Sequence, residues 1–149
     1  MSDQQNDDLA VLRAELARIR AEREELDAAA EAERLREQVE RERRELEQER
    51  AIAAAEAKHG KLGAAIGAVK TRLGVVIMRR PHVAAFRKFH ELAQPTMADV
   101  EQFVRPHVLE PNRDEFDRMS DELPGLLMSC ARVLGQLAHG AAQELTGKS

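Results

Sequence analysis

Aromatic side chains are scarce in this sequence: it has no Trp, no Tyr and four Phe (Phe86, Phe89, Phe103 and Phe116). That scarcity argues against a single-strand nucleic-acid surface built on base stacking. It also leaves the filling of a core to Leu, Val, Ile, Ala and Met. Cys130 is the only cysteine, which excludes an intrachain disulfide framework. Its setting, "LLMSCARVL", suits a buried small hydrophobe rather than a nucleophile. Lys70 and Arg72 interrupt the best apolar run, so none reaches the length of a bilayer-spanning helix. The polar N-terminus lacks the pattern of a signal peptide, and a soluble cytoplasmic protein is the expectation.

Recognisable catalytic chemistry is equally sparse. The histidines (His59, His82, His90, His107 and His139) have no metal-ligand spacing among themselves or with Cys130. The glycines of "GKLGAAIG" lack the lysine-serine ending of a phosphate loop. Ser120 and Ser129 have no nucleophile-elbow context. The many acid pairs fall on a charged helix with no pocket to perturb their pKa values. The expectation is a protein without catalysis, metal or cofactor.

What is present begins with charge. The net charge of −4 conceals a division. Residues 60–95 hold seven bases against one acid, Glu91, for +6, whereas residues 1–59 carry −6 and residues 96–149 carry −4. Such asymmetry points to a partner for the basic segment.

Residues 1–8 read as a polar disordered tail with an N-cap at Asn6 or Asp7. Leu9, Leu12, Leu16, Ile19 and Leu26 then fall on a heptad seam, and Leu35, Val39 and Leu46 resume it in a shifted frame. Residues 9–59 therefore read as a charged coiled-coil helix, supported by i,i+4 pairs such as Glu37–Arg41 and Glu40–Arg44. The spacing leaves its orientation open, and a single solvated helix remains an alternative for its second half.

His59-Gly60 reads as a helix stop. Residues 60–149 read as an α-helical bundle. A basic helix over 61–80 ends at Pro81, and a short helix runs from His82 to Ala93. Another runs from Met97 to Val104, capped by Thr96, and an acidic one spans Asp114 to Glu122. The last helix runs from about Gly125 to Leu145, with Leu126, Leu127, Cys130, Val133, Leu134, Leu137 and Leu145 on its apolar face. No segment alternates with period two, so the fold class expected is all-α, a coiled-coil arm and a small bundle, in a homodimer.

On a helical wheel the 61–80 segment has three sides. Leu62, Ile66, Val69, Leu73 and Ile77 form a core stripe, and Gly63, Gly67 and Gly74 form a close-packing side. Lys61, Arg72 and Arg79 fall within roughly 20° of one another, beside Ala65 and Ala68. Lys70 lies off that face, and the basic run continues through Arg80 to Arg87 and Lys88. A face of this kind suits the phosphates of a duplex, contacted without reading bases.

The segment "RLGVVIMRRPHVAAF" resembles the central helix and turn of the small nodavirus accessory proteins that suppress RNA silencing. In that family an arginine precedes a proline by nine residues, a basic residue sits just before the proline, and an apolar-alanine run follows. Arg72, Pro81, Arg80 and Val83 to Ala85 match those positions. The family's members are shorter, and they lack the N-terminal arm and the extra C-terminal helix. The resemblance implies an all-helical homodimer that shields double-stranded RNA in a host cytoplasm by contacting successive minor grooves. The resemblance carries over only Arg72, central in the contact, and Arg80; the helical wheel alone adds Lys61 and Arg79 as flanking residues, and charge adds Lys70, Arg87 and Lys88, which with Arg80 would be peripheral. The main rival is a coiled-coil scaffold or adaptor that acts through protein contacts. A basic helix lying on an anionic membrane is disfavoured by the lack of Trp and by the glycines.

Overall fold

The computed structural model describes residues 2–147, with side chains described for residues 3–140. In chain order the elements are α1 (Ser2–His59), β1 (Ile66–Thr71), β2 (Gly74–Arg79), α2 (Val83–His90) and α3 (Met97–Val104). A 3-10 turn (Arg105–His107), β3 (Val108–Glu110), α4 (Arg113–Glu122) and α5 (Leu126–Gly147) complete them. The architecture is therefore mixed α/β, with five helices and a three-stranded antiparallel sheet among the described residues, and not all-α. The chain divides into two compact units, residues 1–44 and 45–149. The end of α1 from Glu45 onward belongs with the second unit.

The largest departure from the sequence reading lies in residues 61–80, where a β-hairpin replaces the basic helix. β1 pairs with β2 from Ile66↔Arg79 to Thr71↔Gly74, which leaves Arg72 and Leu73 at the turn. The turn is held by its own side chain: Thr71 Oγ1 donates to the Gly74 carbonyl at 2.7 Å and accepts from the Leu73 N–H at 3.1 Å. Gly74 takes φ +139°, a left-handed backbone that only glycine adopts without strain. β3 pairs antiparallel with the other edge of β2, Met78 opposite Val108, across an irregularity at Ile77/Met78.

Both faces of the sheet are covered, which explains its sequence. Val69, Val76 and Met78 pack into the main core with Val100, Phe103 and Val104 of α3, Phe116 and Met119 of α4, and Leu126, Cys130 and Leu134 of α5. The alternate residues Ile66 and Ile77 pack against Ile52 and Ala55, near the end of α1, with Ala68, Val75 and Leu109 beside them. "VVIM" thus sends successive side chains to opposite cores, and a two-sided strand reads as a continuous apolar run.

Local signals behave as their chemistry requires. Thr96 caps α3 in a full capping box, its Oγ1 accepting from the Asp99 N–H while its own N–H donates to Asp99 Oδ2 at 2.9 Å. Asn112 caps α4 by accepting from the Glu115 N–H at 2.9 Å. Arg105 ties α3 to α4 through ion pairs with Glu101 and Asp117. Burial works against its charge, but the hydrogen bonds to those two carboxylates outweigh it and raise its pKa above the ordinary guanidinium value. Of the face expected on the last helix, Leu126, Cys130, Leu134 and Leu137 are buried and Leu127 and Val133 are half-buried. The side chain of Leu145 lies outside the described residues.

Candidate functional site

The hairpin redistributes the cations that the sequence reading placed on one helix. Lys61 sits in the loop before β1, where its carbonyl accepts from the Ala64, Ala65 and Ile66 N–H groups and its side chain is exposed. Arg72 occupies the hairpin turn and Arg79 the far end of β2. The strand between them is about 17 Å long at the usual rise per residue. Lys61, Arg72 and Arg79 therefore share no helical face, and the match to Arg72 and Arg80 falls on the hairpin turn and on the first residue after β2. Lys70 and Arg72 line a hollow of about 310 Å³ beside Leu123, Pro124 and Gly125 at the α4–α5 junction. Arg87 is exposed on α2. Arg80 donates its backbone N–H to the Ala65 carbonyl, while its buried Nε has no hydrogen-bond partner among the described residues.

Two of the expected cations do converge. Arg79 and Lys88 line a cavity of about 320 Å³ with His82, Ala85, Phe89, Leu92, Asp99, Gln102, Phe103, Pro106 and His107. Phe89 stacks on Phe103 with ring centroids 4.5 Å apart, and His107 meets Phe103 edge-on at 5.5 Å. His107 is buried, and its Nδ1 lies 2.7 Å from the Phe103 carbonyl. That contact makes Nδ1–H the donor and leaves Nε2 as an acceptor in the neutral ring. Burial lowers the pKa of His107, the carbonyl contact opposes the shift, and the charges of Arg79 and His82 reinforce it. Asp99, the only carboxylate of the cavity, serves the Thr96 cap. The cavity can receive an anionic group against an aromatic wall. Sequence reasoning missed His82 and His107 as neighbours because 25 positions separate them and neither carries a local motif.

The other feature with functional content lies in α1. Leu9, Leu12, Leu16, Ile19, Leu26, Leu35, Val39 and Leu46 are each between 45% and 72% exposed. These are the residues of the heptad seam, and each is at least half as accessible as a fully exposed side chain or close to it. After Leu46 the pattern changes: Gln48 donates from Nε2 to the Thr71 carbonyl at 3.1 Å, and Ile52 and Ala55 are buried against the sheet. One helix thus carries an uncovered stripe up to Leu46 and a covered one beyond it.

Cys130 is fully buried, and burial pushes its thiol up to about 12, as expected for a packing residue. Among the described residues no cluster of His, Cys, Asp and Glu could hold a metal, and no helix is long and apolar enough to cross a membrane. No protein-family model, curated protein or solved structure matches the chain.

Proposed function

We propose that this chain is a non-catalytic, self-associating scaffold whose oligomerisation element is the heptad seam of α1. The observation that carries the proposal is the exposure of all eight seam side chains on a helix whose later residues, Ile52 and Ala55, are buried. Large apolar side chains at heptad spacing gain little in water, and they gain substantially when each inserts between residues of a facing helix. A merely solvated helix has no use for Leu, Ile or Val at those positions. Duplex RNA, the alternative partner, is suggested by cations gathered on the face of one helix. The hairpin divides those cations between its two ends, so a single basic helical face no longer argues for duplex RNA, whereas the exposed seam argues for a second helix.

Molar mass measured by sedimentation equilibrium tests the proposal. Wild-type protein is expected to move from 16.7 kDa toward a multiple of it as concentration rises. Leu16→Glu is expected to hold it at the monomer mass, because it places a charge in the seam and leaves the second unit untouched. A wild-type protein that stays monomeric at high micromolar concentration would overturn the proposal.

A further inference from the structure

The charges flanking the seam identify the partner helix and its direction. With Leu9 and Leu16 at positions a and Leu12, Ile19 and Leu26 at positions d, the g positions are Asp8, Glu15 and Glu22, and Arg13 and Arg20 occupy e positions. All these residues are exposed. In a parallel, in-register pair, each g residue faces the e residue five positions later on the other copy. That arrangement matches Asp8 with Arg13 and Glu15 with Arg20. In the shifted frame set by Leu35 and Val39, Glu31 faces Arg36, and with Leu46 in the same frame Glu45 faces Arg50. Every one of these pairs is of opposite sign, and each occurs twice by symmetry.

An antiparallel pair gives the reverse result, since g then meets g and e meets e. The first-frame g positions Asp8, Glu15 and Glu22 are all acidic, so they repel one another, and Arg13 and Arg20 would face e positions that are basic in both frames except for Asp27. One match runs against the parallel arrangement, because Glu22 faces Asp27. Arg23, at the neighbouring a position, compensates. In a parallel pair its side chain lies beside Glu22 of the other copy, and a long charged side chain at a two-stranded seam can reach solvent. A polar residue at a single a position also fixes register and favours low oligomer number. Within α1 itself only a weak Glu15–Arg18 contact, at 4.0 Å between exposed groups, competes for Glu15.

We infer that the seam of α1 binds a second copy of this chain in parallel and in register, as a two-stranded coiled coil held to that alignment by Asp8–Arg13, Glu15–Arg20 and Glu31–Arg36 pairs between copies. This inference rests on the proposed self-association and specifies its geometry.

Charge reversal in the full-length protein tests the direction, because the two alignments predict effects of opposite sign. For a parallel pair, Glu15→Arg and Arg20→Glu each weaken self-association about fivefold to tenfold, since two attractive pairs become repulsive. The double variant carrying both changes returns to the wild-type association constant. Far-UV circular dichroism at equal concentration checks that the variants remain helical. Leu16→Cys supplies a second readout, because position a meets its own counterpart only in a parallel, in-register pair. Rapid disulfide formation between Leu16→Cys chains is expected, with buried Cys130 unreactive in the same assay. Charge reversals that tighten association, or an oligomer in which Leu16→Cys fails to cross-link, would overturn the parallel alignment and leave the scaffold reading standing. A monomeric wild type would remove both.

Discussion

At the scale of single residues, His107 has the clearest consequence. It is a buried imidazole whose burial and two cationic neighbours, Arg79 and His82, disfavour its charged form, against the opposing pull of the Phe103 carbonyl. Its folded-state pKa is lowered, so on acidification the unfolded chain takes up a proton at this position before the folded chain does. Its contribution to stability is therefore level above the unfolded value near 6.5 and declines as pH falls below it. The expected outcome is a melting temperature that drops between neutral pH and about pH 5, the range in which histidines titrate. His107→Phe removes this titration and flattens the pH dependence, although it lowers stability overall by stranding the Phe103 carbonyl. Thermal denaturation of both proteins across that range checks it, and identical slopes would show that other groups govern the response.

Secondary-structure elements meet most tightly where β1 crosses α5. A Cβ at Gly67 would stand 2.5 Å from Val133 Cγ1 and 2.8 Å from Leu137 Cδ1, so glycine is what allows strand and helix to approach. Gly67→Ala is expected to destabilise the fold by about 1–2 kcal/mol, since overpacking outweighs the entropy gained in the unfolded chain. Gly140→Ala, in α5 with nothing within 4 Å of the added carbon, is expected to stabilise by up to about 1 kcal/mol. Chemical denaturation of the pair checks the contrast in sign. The same elements show what was legible in the sequence. Thr96 and the spacing of Leu126, Cys130, Leu134 and Leu137 announced helices because a cap and a single buried stripe are local signals. The hairpin was not legible, because Val75, Val76, Ile77 and Met78 face two different cores and show no alternation. Gly63, Gly67 and Gly74 read as one face of a helix but serve a loop, a close approach and a turn. Once the hairpin is placed, only Arg79 and Lys88 of the expected cations share a cavity with His82 and His107, a grouping that no sequence spacing encodes.

At the scale of the whole molecule, the two units draw their stability from different sources. Residues 45–149 hold two buried clusters around the sheet, which is a self-contained reason to fold. Residues 1–44 have every described side chain exposed or nearly so and no buried residue, so within one copy their helix relies on propensity and on exposed charge pairs. Such pairs contribute only about 0.3–0.5 kcal/mol each. Association must then supply what packing supplies elsewhere, and mass action couples the helicity of this unit to protein concentration. Dilution over about a hundredfold should lower the mean helical signal at a fixed temperature by loosening residues 1–44. Melting of the second unit, followed through the buried thiol of Cys130, should move far less with concentration, because its buried clusters lie within one chain and only Leu46 and the Glu45–Arg50 pair extend the seam into it. Thermal scans at several concentrations, read by far-UV circular dichroism and by thiol labelling in parallel, check both halves of this expectation. A helical signal indifferent to dilution down to concentrations at which the mass is monomeric would mean that residues 1–44 are stable as a lone helix. The seam would then have to be explained without a second copy.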